Sequence, residues 1–185
     1  MTAITQAVDQ GDRRARGNVL RLAVAQALAG ANASVIFATG AIIGSTLAPD
    51  PAWATVPISV FVVGMAAGTL PGPERCVVLT VAGSDSGGGA GVLAGLVAAG
   101  ALLAQSFALF CLATLCGGFY ASVVQSFRFA AADGASTAFR PKALSWVMAG
   151  GVFAGVLGPQ LVQWTMDIWP PYLFAFSFVM QAFVA

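Results

Sequence analysis

The sequence predicts an all-α membrane protein with six transmembrane helices. Three observations carry this. Of its 185 residues, 58% are hydrophobic and only 8% are charged, where a soluble domain carries roughly 25% charged residues. The mean hydropathy is +0.86. The few charges are also grouped, so that they separate long charge-free stretches. So little charge cannot cover a water-facing surface, and a chain this apolar does not stay disordered. The net charge of +1 supplies no basic excess for a nucleic-acid backbone. The chain contains no histidine, which removes histidine catalysis and histidine metal sites. Cys76, Cys111 and Cys116 match neither a zinc pattern nor a disulfide framework. The expected partner is a lipid bilayer, with no metal, cofactor or nucleic acid.

A helix needs about 20 apolar residues to cross a hydrocarbon core roughly 30 Å thick. Residues 1–16 hold Asp9, Asp12, Arg13, Arg14 and Arg16 and read as a disordered, topology-setting tail. Residues 17–185 form the transmembrane domain. Leu22–Pro49 is the first charge-free run, and it predicts a span over roughly 20–47. Pro49-Asp50-Pro51 ends it, because proline cannot continue a helix. The run from Pro51 to Pro73 predicts a second span over 52–71. Ser86–Phe127 is too long for one helix and divides at Gln105 and Ser106, giving spans over 84–104 and 107–127. Ala143–Met166 predicts a fifth span over 143–165, and Ile168–Ala185 a sixth over 169–185. Trp169-Pro170-Pro171-Tyr172 separates the last two, with aromatics suited to a membrane interface.

Lysine and arginine set the orientation. Arg13, Arg14, Arg16 and Arg21 precede the first span, Arg75 follows the second, and Arg128, Arg140 and Lys142 lie between the fourth and fifth. With six spans all of them fall on one side, expected to be the cytoplasm, with both termini there and the chain in the cell inner membrane. Glycines four apart predict close helix contacts. The pairs are Gly40 and Gly44, Gly64 and Gly68, Gly91 and Gly95 (with Gly87), and Gly151 and Gly155.

This layout resembles the N-terminal half of a major facilitator superfamily transporter. The stretch RLAVAQALAGANASVIFATGAIIGSTL, Arg21 to Leu47, is similar to the first helix of bacterial members. Gly150-Gly151-Val-Phe-Ala-Gly155-Val-Leu-Gly158-Pro159 resembles the fifth-helix motif of that superfamily's antiporters. Residues Gln125 to Asp133 resemble the end of the fourth span in bacterial permeases. The chain departs from the family after span two, where Gly68-Thr-Leu-Pro-Gly-Pro-Glu74-Arg75-Cys76 lacks the usual aspartate and arginine pair. Ala113 or Thr114 stands where many members carry an arginine. A replacement of residues 72–90 through frameshift or recombination would explain the first departure.

The resemblance implies a secondary transporter, not an enzyme. It would move a small solute by alternating access, leaning toward efflux, and would work with a second six-helix half. The chain is then expected to be one half or a truncated form. Solutes bind near the midplane of such repeats, so polar residues inside spans are the cavity candidates. These are Gln26, Asn32, Ser34 and Thr39 in the first span, Tyr120 and Gln125 in the fourth, and Ser145, Trp146 and Gln163 in the fifth. Each has an alternative role as an interhelical hydrogen-bonding group. Arg128 and Asp133 are candidates for a cytoplasmic gate, and Gly150, Gly151, Gly155, Gly158 and Pro159 for a helix bend. Two other readings stand beside the transporter. One is a non-transporting membrane remnant or scaffold. The other rests on Val78 to Gly91, VLTVAGSDSGGGAG, which resembles the glycine-rich loop of hydroxymethylpyrimidine kinases.

Overall fold

The computed structural model describes residues 2–69, 88–133, 135, 137, 139–168, 172 and 174–184. Among them every regular element is helical. In order these are α1 (Thr2–Leu47), a 3₁₀ turn (Pro51–Trp53), α2 (Val56–Gly68), α3 (Gly88–Leu103), α4 (Phe107–Asp133), α5 (Arg140–Thr165) and α6 (Ala175–Val184). The segment 70–87, which carries Arg75, Cys76 and most of the kinase-like loop, lies outside the described residues, as do Trp169, Pro170 and Pro171.

The breaks fall where local chemistry demands them. After α1, the Asp50 carboxylate accepts a hydrogen bond from the Ala52 N–H at 2.8 Å, which caps the 3₁₀ turn. Pro57 and Pro141 sit in the first turns of α2 and α5, where a missing N–H costs nothing. Between α3 and α4, Gln105 adopts φ 50°. Its N–H donates to Leu102 O at 3.3 Å, and the next N–H, of Ser106, donates to Ala101 O at 3.0 Å. That pair of bonds is the Schellman closure, here with glutamine where glycine is usual.

One expectation needs correction. The stretch 2–16 is helical and continuous with α1. It contains no proline and only Gly11, and extending a helix that is already nucleated adds one hydrogen bond per residue fixed. Among the described residues, four helical segments are long and apolar enough to cross a membrane: Arg16–Leu47, Pro51–Gly68, Phe107–Asp133 and Arg140–Thr165. Six such spans are not found among the described residues. The apolar part of α3, Gly91–Leu103, is shorter, and the described part of α6 has 10 residues, about 15 Å of helix.

α1 packs most extensively on α5, α2 on α4, and α3 on both α4 and α6. α4 also meets α1 and α5, so it stands at the centre of the bundle. The main apolar core contains Val35, Ile36, Ile43, Phe61, Phe110 and Phe178. Phe110 and Phe178 meet edge to face at 5.8 Å between ring centroids. A second cluster, Val19, Ala131, Phe139, Ala143 and Val147, closes the opposite end.

The two ends differ chemically. Trp53, after α1, meets Phe107, at the start of α4, with centroids 6.4 Å apart. The connections α1–α2 and α3–α4 therefore share one end, which carries Asp50 and no lysine or arginine among the described residues. At the other end the Arg16 guanidinium lies 5.7 Å from the Phe139 ring centroid, beside Arg140 and Lys142. This segregation agrees with the charge pattern that set the orientation.

Of the predicted glycines, Gly44, Gly64 and Gly95 permit backbone contact, and Gly118, which the spacing did not single out, does so as well. A Cβ on Gly64 would meet Leu115 O, and one on Gly118 would meet Phe61 O and stand 2.8 Å from Met65 N, so α2 and α4 touch main chain to main chain. On α5 the contact row is not the expected pair Gly151 and Gly155. It is Gly150, Ala154 and Gly158, which face Ala23, Gly30 and Ser34 of α1. Gly155 has nothing within 4 Å of a Cβ position. Residues 150, 154 and 158 are also four apart. Alanine serves as the middle small residue of that row, and a glycine-only pattern misses it.

Candidate functional site

One stripe of α1 defines the site. Gln26, Ala29, Gly30, Ala33, Ser34 and Phe37 recur at helical spacing and form one wall of an open recess of about 300 Å³. Phe61 and Met65 from α2, Val124 and Gln125 from α4, and Gly151 and Ala154 from α5 line the remainder. A second recess of about 160 Å³ is lined by Gln26, Gln125, Arg128, Val147, Met148 and Gly151. A third, of about 470 Å³, runs between α2 and α4 past Met65, Gln125 and Arg128. Gln125 borders all three, which makes them branches of one groove between α1, α2, α4 and α5.

The groove has unlike ends. At one end Phe37 and Phe61 meet edge to face, with centroids 5.4 Å apart. Phe61 is fully buried, whereas Phe37, which lines the recess, is half exposed. At the other end the Arg128 Nη2 donates to Gln125 Oε1 at 2.6 Å, and its Nε donates to Gln125 O at 3.0 Å. A guanidinium only donates, so the amide oxygen of Gln125 must face it, and the amide NH₂ remains a donor for another group. Gln26, one helix away, contributes a second carboxamide, and its Nε2 lies near Gly30 and Gly151. Along α1 the two ends stand about 16 Å apart at 1.5 Å per residue.

Of the predicted cavity residues, Gln26, Ser34 and Gln125 line this groove. The structure places the others elsewhere. Asn32 points the opposite way from the groove stripe and is 4% exposed. Its Oδ1 accepts a hydrogen bond from Gln181 Nε2 of α6 at 2.7 Å. Thr39 is buried and donates to Val35 O within its own helix at 2.8 Å. Tyr120 is buried in a cluster with Ala29 and Val124. Ser145 donates to Pro141 O at 2.9 Å, and Ser145, Trp146 and Gln163 lie on exposed faces of α5. Arg128 lines the groove, but Asp133 does not join it. Five residues apart, the two are turned about 140° around α4, and no ion pair joins them.

In the fifth-helix motif, Gly150 and Gly158 contact α1, Gly151 borders the groove, and Gly155 faces outward. α5 runs through Pro159 without ending. The proline leaves the Gly155 carbonyl without its helix hydrogen bond.

Sequence reasoning missed Phe37, Phe61, Met65 and Val124, which are apolar and look like ordinary core or lipid-facing residues. The α1 stripe was within reach, since counting three and four residues onward from Gln26 leads to Phe37. It also missed Gln181. Ser177 and Gln181 are polar residues one helical turn apart in an apolar segment, which is a legible signal of an inward face. Ser177 Oγ and Thr165 Oγ1 share a hydrogen bond of 2.6 Å. Two polar contacts therefore tie α6 to the bundle. Asn32 Nδ2 and Gln181 Oε1 have no partner among the described residues.

Over 176 residues the chain is 44% identical to the riboflavin transporter RfnT of Brucella anthropi. The relative is a transporter. The alignment covers 91% of this chain and 42% of that protein, so the chain spans about two fifths of the length of the relative it matches. No family model matches the chain. No solved structure matches it. Together with its long apolar helices, the likeness makes this a multi-pass helical membrane protein related to a transporter of a small solute. That relationship, with no strands among the described helices, stands against the kinase reading.

Proposed function

We propose that this chain is one half of a carrier of the major facilitator type, its N-terminal six-helix half, and that it moves a flavin-like solute by alternating access. The observation that carries this reading is the 44% identity to a riboflavin transporter along 91% of the chain. The groove supports it. Its walls come from four helices of this chain, and its mouth is open, as expected of a site completed by a second set of helices. The second half is either further sequence of the same polypeptide or a separate chain. The basic end of the bundle is assigned to the cytoplasm of a cell inner membrane, and both termini with it.

In this scheme the chain's own residues bind and orient the solute. Gln26 and Gln125 offer neutral hydrogen-bonding groups, and Arg128 supplies a cation held in place by Gln125. Phe37 offers an aromatic surface. Transport follows when the two halves rock about the occupied groove.

The test is flavin transport in a riboflavin-requiring bacterium that lacks an uptake system. The chain is expressed alone and together with the segment of the Brucella anthropi relative that it does not cover. Labelled riboflavin is followed both into cells and out of preloaded cells. The pair is expected to move riboflavin above the empty-vector rate. If the pair moves none while the intact relative does, the reading fails and a non-transporting scaffold takes its place.

A further inference from the structure

We infer that the groove is a polarised site. Its Phe37 end takes the flat ring of an aromatic solute, and its Gln26–Gln125–Arg128 end takes a neutral polyhydroxylated tail. This rests on the flavin-carrier reading and deepens it by giving the solute a direction.

The argument begins with the aromatic end. Phe37 presents a half-exposed ring to the groove, and Phe61, fully buried, holds it from behind in an edge-to-face contact of 5.4 Å. Met65, one turn beyond Phe61 on α2, continues this wall as a polarizable surface toward Gln125 and Arg128. No charged side chain lines this end of the recess. A flat fused ring gains by covering such a surface, whereas a hydroxylated chain would lose its water there without recompense.

The other end has the opposite character. Gln26 has no hydrogen-bond partner among the described residues, and Gln125 keeps its NH₂ for another acceptor. Two carboxamides offer both donors and acceptors, as a row of neutral hydroxyl groups requires. Arg128 is tied to Gln125 twice, which fixes the Gln125 amide in one orientation. The separation of about 16 Å along α1 suits an extended solute with a ring at one end and a tail at the other, and leaves a compact polar molecule unable to reach both.

The experiment measures binding to the whole chain in lipid nanodiscs, alone and paired with the complementary segment, by quenching of flavin fluorescence. The probes are riboflavin and lumiflavin, which has the same ring with a methyl group in place of the tail. Gln26→Ala and Gln125→Ala are each expected to weaken riboflavin about fivefold, the loss of roughly one hydrogen bond, and to leave lumiflavin unchanged. Phe37→Ala is expected to weaken both probes alike, by about tenfold. Lumiflavin binding thus reports that the glutamine variants are folded. If the glutamine variants weaken both probes equally, or neither, the polarity is wrong although the flavin reading survives. If the unmodified chain binds neither probe in either form, the flavin reading fails and this inference with it.

Discussion

Gly118→Ala is expected to force α2 and α4 apart. The added methyl would overlap the Phe61 carbonyl oxygen and stand 2.8 Å from Met65 N and 3.1 Å from Gly64 C. These are backbone atoms, so no side chain can turn away. The shortfall from ordinary contact at Met65 N is about 0.6 Å, and a gap of roughly 0.5–1 Å opened along an interface forfeits a quarter to a half of its dispersion attraction. Overpacking of this kind costs about 1–3 kcal/mol. Against it stands a gain of roughly 0.5–1 kcal/mol from replacing glycine within a helix. The net expectation is a loss of about 1–2 kcal/mol. Gly155→Ala provides the control, since nothing lies within 4 Å of its new methyl, and the helix gain then stands unopposed. The assay heats each variant in detergent and reads the temperature at which half the monodisperse gel-filtration peak is lost. At about 2–4 °C per kcal/mol for a chain of this size, Gly118→Ala should fall below Gly155→Ala by roughly 4–10 °C. Equal midpoints for the two variants would refute backbone contact between α2 and α4.

Gln181→Leu removes the donor to Asn32 Oδ1 and leaves a buried amide with no partner, a loss of about 1–3 kcal/mol. The double change Asn32→Leu with Gln181→Leu should recover part of this in the same melting assay, because it removes both polar groups together. Gln105→Gly relieves a left-handed residue at the end of α3. It should raise the melting midpoint by the equivalent of about 1 kcal/mol, provided that the side-chain bond from Gln105 Nε2 to Leu102 O at 2.9 Å contributes less than that.

Much of the bundle was legible because its causes are local. Pro49 and Pro51 mark the end of α1, and the division at Gln105 and Ser106 falls where the helix does turn. The grouping of basic residues at one end follows from their order along alternating helices. The continuation of α1 back to Thr2 was not read, since charged residues argued for a tail while the absence of proline permitted a helix. Of the site, Gln26 and Gln125 were found because an amide inside an apolar span stands out. Asn32 stands out equally and faces the other way, because polarity shows that a side chain needs a partner and does not show where the partner is.

The sequence by itself determined that this chain lives in a bilayer, where its helices break, and which end is basic. These follow from hydropathy, proline chemistry and charge order, each read within about one helix length. Only the tertiary structure decided which small residues touch and which polar residues share a groove. On α5, Gly150 and Gly158 meet the α1 backbone, whereas Gly151 reaches only the Gln26 side chain and Gly155 nothing, although the rows 150/154/158 and 151/155 differ by a single step of about 100° around the helix. That rotation is set by the joint fit of α1, α4 and α5. The same fit places Gln26 beside Gln125 and turns Asn32 toward Gln181.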